Sequence, residues 1–467
     1  MASSKILIID DDPTGSQTVN SCPLLLSWDQ ANLRTNLRNS SPLLFILANT
    51  RGMPADAASK VVSDICQSLK KALLYEGIDD WLIISRSDST LRGHFPIETD
   101  IITTELGYFQ ATFFIPCFLE GHRKTIDAVH ILEGIPIHKT PFARDHLFGF
   151  STSFLPQFIS QKSNSEIKEK NVVQINSNFL DKAIVSNESY QILEQQIRAL
   201  NKNAFVVVDA QNSEQLKTFS SVMKKICFNK SSHQENKRFL FRSAASFITE
   251  LADLPPQPLN IKQLCNLRRR NSEGEPLPGL IMVGSYVPLA DSQLENLLAD
   301  PLCTGLELPL SQLVNILKEP TSTKIIAQFE QKWFQELQTI IINHKTPVLF
   351  TSRGELNLPC SEERLVFGRK IAELMARLAA ALAPQLGYLI SKGGITSQLL
   401  LTTGLNLSWV YLDGQILPGL SLVRQLQNIW VSSAFQGLPI LTFPGNLGNA
   451  NTLKAAWSLM ESGNSIV

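Results

Sequence analysis

The stretch Lys5-Ile-Leu-Ile-Ile-Asp-Asp-Asp-Pro-Thr-Gly-Ser-Gln-Thr18 sets an apolar run against three consecutive carboxylates, a proline and a glycine. The run reads as a buried strand, and Asp10, Asp11 and Asp12 stand where it ends. The spacing Asp10-x-Asp12-x-Thr14 is one by which aspartyl phosphatases present a nucleophile and an acid/base partner. The same residues could clamp the hydroxyls of a polar substrate or hold a metal ion.

Outward from this stretch, short apolar runs recur with helical patterns between them: LLFILA, WLIIS, TFFIP and FVVVD, then LIMVG, VLFTS, YLIS, WVYLD and PILTF. Strands alternating with helices predict an α/β fold of two domains, each a mostly parallel sheet flanked by helices. Ser361 to Gly387 has a capping serine, a helix-favouring interior and a closing Pro-x-x-Gly, and predicts a long helix. Leu251 to Gly279 is rich in Pro, Gly and charge and precedes a fresh strand. The domains are therefore expected at 1–255 and 279–467, with a linker at 256–278 that carries Arg268-Arg269-Arg270 on a solvated flank. Ser160 to Asn171 reads as a surface loop.

The 467 residues are 44% hydrophobic and 18% charged, enough for two cores. Lys plus Arg and Asp plus Glu each number 42, so no net field draws the chain to nucleic acid or to an acidic membrane. Seven scattered cysteines with no Cys-x-x-Cys pair argue against a disulfide framework and a zinc knuckle. With no secretory leader pattern in residues 1–25 and no spanning apolar run, a cytoplasmic protein is expected. Five of the seven histidines fall between His94 and His146, but the eight-residue spacing of His122, His130, His138 and His146 has no local ligand geometry behind it.

In a parallel α/β sheet ligands bind beyond the carboxyl ends of the strands. In the first half those ends supply Asp11, Asp12 and Asp88 together with Arg51, Arg86, Arg92 and Arg123. That mixture suits a small polyol acid, since an arginine fork takes a carboxylate and aspartates accept from hydroxyls. In the second half the ends are glycine-rich: Gly284-Ser285, Ser391-Lys-Gly-Gly-Ile-Thr396 and Phe443-Pro-Gly-Asn446. A Gly-Gly turn before a helix leaves N–H groups that suit phosphate. Neither a P-loop nor a Gly-x-Gly-x-x-Gly fingerprint is present.

IDDDPTGSQTV (9–19), SRSDSTLRGHFPIE (85–98), PCFLEGHRKTIDAVHILEG (116–134) with TPFARDHLFGF (140–150), GSYVPLADSQ (284–293), SKGGITSQ (391–398) with GQILPGLSLVR (414–424), and PGNLGN (444–449) resemble, in order, the blocks of the four-carbon acid sugar kinase family. The resemblance implies transfer of the γ-phosphoryl group of ATP, with Mg²⁺, to a terminal hydroxyl of a tetronate or 3-oxo-tetronate. The acid would lie on the N-terminal domain and the nucleotide on the C-terminal one. Such a transfer needs a base or orienter for the attacking hydroxyl; Asp12 is expected in that role with Asp88 as the alternative, and the sequence does not choose between them. The acid would be met by Asp11, Thr14, Arg51, Arg86, Ser89, Arg92, Arg123 and Thr125. The nucleotide would be met by Ser285, Gly393, Gly394, Ile395, Thr396 and Gly445. No metal ligand can be named from the sequence, and a homodimer is compatible with it.

The phosphatase alternative also needs paired aspartates ending a further strand, and Asp79-Asp80 precedes its strand instead. Asp10 then reads as structural. Two departures from the family pattern bear on activity. Arg86 stands where many relatives have lysine, and Phe443 stands where many have a lysine near the phosphates. The second places Phe443 at the mouth of the nucleotide site and raises an alternative, a catalytically weak homologue that binds a metabolite and regulates.

Overall fold

The computed structural model describes residues 4–16, 18–228, 237–254, 256–285, 287–316, 322–353, 361–426 and 435–462. Gln17, Pro255, Tyr286 and Cys360, quoted or used above, lie outside them. The chain divides into two compact units, Met1–Pro256 and Gln257–Val467.

The first unit contains β1 (Lys5–Asp10), β2 (Cys22–Leu25), β3 (Leu43–Leu47), β4 (Trp81–Arg86), β5 (Ala111–Ile115), β6 (Arg123–Ile126), β7 (Val129–Leu132), β8 (Ile135–Pro136), β9 (Val173–Ile175), β10 (Ala204–Val208) and β11 (Phe239–Ser243). Eight of them form a sheet in the order β2-β3-β1-β4-β11-β5-β10-β9, with every neighbouring pair parallel. β6, β7 and β8 make a separate antiparallel sheet. All residues of β1, β3, β4 and β5 are buried, as their apolar runs require of strands covered on both faces, and β11 is buried throughout as well although Arg242 interrupts its run. The covering helix Ala55–Glu76 buries Ala58, Val62, Ile65, Cys66, Leu69, Ala72 and Leu73, a helical stripe, and stops at Gly77 in the left-handed region.

β11 was not among the expected strands, yet it lies mid-sheet between β4 and β5. It carries Phe239 and Phe241, which pack on Phe113. The chain crosses from β3 over β1 to β4, so the strand order reverses between β1 and β4. Asp10 is level with Arg86, and Arg86 with Ser243.

The second unit contains β12 (Gly279–Val283), β13 (Cys303–Leu308), β14 (Thr346–Thr351), β15 (Tyr388–Lys392), β16 (Trp409–Leu417), β17 (Leu420–Arg424) and β18 (Ile440–Phe443). Their order is β13-β14-β12-β15-β18-β17-β16, parallel as far as β18 and antiparallel beyond it. The reversal of strand order falls between β12 and β15, and Lys392 is level with both Val283 and Phe443. The long helix runs Ser361–Leu382 and passes into a single turn, Ala383–Gln385.

Residues 257–278 are folded onto the second unit instead of linking freely. Asn260 and Gln263 form a capping box on the helix Ile261–Cys265. Arg268 donates to the Leu277 carbonyl and pairs with Glu461 at 2.8 Å, so it is a packed residue, whereas Arg270 is exposed. Part of the expected loop at 160–171 is helical, since Leu155–Lys162 ends inside it. The six described cysteines are buried and unpaired. Among the described residues no helix is long and apolar enough to cross a membrane.

Candidate active site

The carboxyl ends of β1 and β4 flank the crevice of the first unit, where an open α/β sheet binds its ligands. Arg51 holds the two aspartates that follow β1. Its Nη2 and Nε meet Asp11 Oδ1 and Oδ2 at 2.5 and 3.2 Å, and its Nη1 meets Asp12 Oδ2 at 2.7 Å. Thr14 donates its N–H and its hydroxyl to Asp12 Oδ1 at 2.7 and 2.5 Å, which fixes the carboxylate from the other side. Thr14 therefore acts on Asp12 directly.

Burial pushes all three carboxyls up, and their cations decide the outcome. Asp12 ends below the ordinary range, because Arg51, Arg86 and the Thr14 hydrogen bonds outweigh burial. Asp11 stays raised by burial, despite Arg51, with Glu98 adding to the rise. Asp10, deepest of the three, is pushed by burial to about 7, with Arg86 opposing.

Arg86 reaches Asp10 and Asp11 only at 3.5 and 3.6 Å, and its buried Nε has no partner among the described residues. The loop after β4 folds Asp88 onto Arg92 Nε at 2.6 Å and onto the Thr90 hydroxyl. Against burial, Arg51 and Arg92 hold the Asp88 carboxyl well below the carboxylate range. Arg92 also lies 3.9 Å from Asp145 and 5.3 Å from the Phe142 ring. Gly93 makes the close packing of this loop possible: at φ 121° a Cβ would stand 3.1 Å from Asp11 Oδ2 and 3.0 Å from Arg242 Nη2.

Arg123 begins β6. Its guanidinium lies 5.6 Å from the Phe118 ring, its buried Nε has no partner among the described residues, and Asp88 and Arg92 act on it electrostatically. Asp11, Asp12, Asp88 and the four arginines thus share one field. Thr125 and Ser89 stand behind it. Thr125 is 0% exposed, and its hydroxyl meets His130 Nδ1 at 3.0 Å, while His130 Nε2 meets the Ser89 carbonyl at 2.8 Å. A carbonyl can only accept, so Nε2 carries the hydrogen and Thr125 donates to Nδ1. Burial pushes His130 down to about 4, so it stays neutral as a tether for the loop.

Two buried residues of this cluster were not anticipated. Glu98 accepts from the Thr50 hydroxyl at 2.5 Å and pairs with Arg242 of β11 at 2.9 Å. Glu98 sits inside a quoted block and could have been found there. Arg242 interrupts an apolar run and gave no comparable signal.

In the second unit the ends of β12, β15 and β18 converge. A Cβ on Gly284 would stand 2.1 Å from Thr396 Oγ1, one on Gly445 2.9 Å from Ser285 Oγ, and one on Gly393, at φ 119°, 3.4 Å from the Ser285 nitrogen. Ser285, Gly393, Thr396 and Gly445 are thereby brought together, and Gly394 and Ile395 open the helix Gly394–Leu399 beside them. Ile395 is 47% exposed.

Phe443 is not at the mouth of this site. It is fully buried in the core with Ile281, Val283, Ile390 and Leu441. An apolar ring ending a doubly covered strand gains most by burial, which explains the difference. A cation near the glycines is Lys392, which donates to the carbonyls of Pro444 and Gly445 at 3.1 Å each. Burial, with Arg353 adding repulsion, pushes this lysine down to about 7. Among the described residues no three His, Cys, Asp or Glu side chains gather as a metal cage.

Comparison with known proteins agrees with this division. Residues 6–251 match the family model of a sugar-binding N-terminal domain, and residues 280–453 that of a nucleotide-binding C-terminal domain. No protein of curated function matches the sequence. Among solved structures, Haemophilus influenzae HI1011, assigned to DUF1537, superposes with a TM-score of 0.61 at 14% identity, covering 97% of this chain and 100% of that one. A Salmonella typhimurium LT2 protein with a provisional tRNA synthase description gives 0.64 at 14% identity, covering 97% and 98%. At such identity the two structures speak for the fold alone. The domain models span most of the chain, and the chain belongs to the DUF1537, or four-carbon acid sugar kinase, family.

Proposed function

We propose that the protein transfers the γ-phosphoryl group of ATP to a terminal hydroxyl of a four-carbon sugar acid, a tetronate or 3-oxo-tetronate. The observation that carries this reading is the contrast between the two switch-point crevices. One holds aspartates and arginines in a single field; the other is opened by glycines and served by Lys392.

On the acid side, Arg51 gives three of its five N–H donors to Asp11 and Asp12, and Arg92 gives its Nε to Asp88. Arg123 and Arg86 have buried Nε atoms without a partner among the described residues, and we assign them to the substrate carboxylate. Asp12, fixed by Arg51 and Thr14, orients the attacking hydroxyl and takes its proton. Its lowered pKa makes it a weak base, which suits a loose transition state whose demand is alignment and charge neutralisation. Mg²⁺ would arrive on the phosphates and neutralise them there.

The regulatory alternative rested on the missing lysine at Phe443. Lys392 beside the same glycines supports a charged nucleotide site without a cation at 443. Purified protein with Mg-ATP should form ADP in proportion to added tetronate or 3-oxo-tetronate, with a phosphorylated four-carbon acid as product. Failure with every stereoisomer of erythronate, threonate and their 3-oxo forms, on folded protein, would turn the assignment to the regulatory one.

A further inference from the structure

Arg353 follows β14, whose neighbour in the sheet is β12. Its Nη1 reaches across to the Ser285 carbonyl at 2.6 Å and to Asp291 at 3.0 Å, so the guanidinium is anchored at the end of β12. Its Nε and Nη2 are buried and have no partner among the described residues. Leaving buried donors of a charged group unsatisfied is costly, and a native protein keeps such an arrangement where something else completes it. Nε–H and an Nη2–H lie on one edge of the guanidinium plane, side by side, which is the fork that takes two oxygens of a phosphate. Arg353 also acts electrostatically on Lys392, so both cations face one locality beside Ser285, Gly393 and Gly445.

We infer that Arg353 is a polyphosphate-binding residue of the second unit, gripping a nucleotide phosphate through its Nε/Nη2 edge while Asp291 and the Ser285 carbonyl hold its Nη1 edge in place. The inference rests on the nucleotide reading above and adds a ligand that no quoted block contains. In this arrangement Arg353 supplies the bidentate contact and Lys392 a point charge, and no cation is needed at position 443.

The test is calorimetric titration of the full chain with ATP, ADP, inorganic tripolyphosphate and adenosine. Arg353→Gln should weaken ATP, ADP and tripolyphosphate by about tenfold or more, the scale of a lost charge-assisted pair, and leave adenosine unchanged. Arg353→Lys keeps the charge without the fork and should weaken the same ligands several-fold; it also serves if the glutamine variant does not fold, as judged by its melting curve. Affinity for ATP within twofold of wild type in a folded variant would overturn the inference while leaving the kinase reading standing. Wild-type binding of tripolyphosphate that depends on Arg353, without binding of ATP, would support Arg353 and sink the ATP assignment instead. Binding of none of the polyphosphates by wild-type protein would overturn both.

Discussion

Lys392 and Phe443 end neighbouring strands level with one another, and the lysine ammonium lies 4.0 Å from the centre of the phenyl ring. The ring is both core and platform: it fills space among Ile281, Ile390 and Leu441, and its π face stabilises a cation that has left water. Phe443→Leu should therefore lower the melting temperature and weaken ATP binding modestly, because the lysine loses its support. Phe443→Lys should do worse, burying a second ammonium beside the first; a loss of several kcal/mol is the usual scale for an uncompensated buried charge. Thermal melts of the two variants check this, and a lysine variant as stable as wild type would contradict it.

Lys392 should make nucleotide binding proton-linked. Its folded pKa of about 7 lies below the ordinary 10.5, so between those values the unfolded chain holds a proton that the folded chain has released. Its contribution to stability is accordingly lowest below about pH 7 and rises with pH through that window. A phosphate nearby favours the charged form, so at about pH 8 ATP binding should take up protons. Titration in two buffers of different ionisation enthalpy measures the uptake, and Lys392→Met should abolish it. Equal heats in both buffers for the wild type would place the ammonium away from the phosphates.

Asp12→Asn keeps shape and removes the acceptor, so turnover should fall by about 10²–10⁴-fold with little change in the Michaelis constant. Asp88→Asn removes the partner of Arg92 and should act on substrate binding. The reverse pattern, with Asp88→Asn dead and Asp12→Asn nearly normal, would exchange the two roles.

The arginines should separate in the same way. Arg123→Lys should raise the Michaelis constant for the acid about tenfold with turnover nearly kept, since an ammonium cannot reproduce a bidentate grip. Arg51→Lys should instead cost stability, about 3–5 kcal/mol if Asp11 and Asp12 are left unpaired in the interior. Melting curves beside steady-state kinetics distinguish the two; an Arg123→Lys enzyme with an unchanged Michaelis constant would remove Arg123 from carboxylate recognition.

How much of this was legible in the sequence follows from burial. β1, β3, β4 and β5 are covered on both faces and read as unbroken apolar runs, so their carboxyl ends pointed directly to Asp11, Asp12, Arg51 and Asp88. β13 has Thr304, Gly305 and Glu307 less buried among its other residues along Cys303–Leu308, and β11 is broken by Arg242, so neither read as an apolar run. Lys392 was in plain view beside Gly393, but its neighbours, Phe443 and the carbonyls of Pro444 and Gly445, are distant in sequence and adjacent only across the sheet. Arg353 was hidden for the same reason.

Gly15 connects the opening stretch to its chemistry. The turn after Asp12 closes with the Gly15 N–H donating to the Asp12 carbonyl at 2.9 Å, and it lies so close over Asp10 that a Cβ on Gly15 would stand 2.1 Å from both carboxylate oxygens. Asp10 cannot step aside: it is 1% exposed, and its Oδ1 accepts from the Asp12 N–H at 3.2 Å. Gly15→Ala must therefore lift the turn, and Thr14 with it, which unfastens Asp12 from the side opposite Arg51. Turnover should fall by at least tenfold while ATP binding to the other unit is unchanged, and stability should drop by about 1–3 kcal/mol, the usual scale of overpacking. The alanine variant and Thr14→Val, which removes the hydroxyl bond to Asp12 without crowding Asp10, should share the turnover defect. A Gly15→Ala enzyme with normal turnover would show that Asp12 keeps its orientation without the turn, and that Arg51 alone sets it.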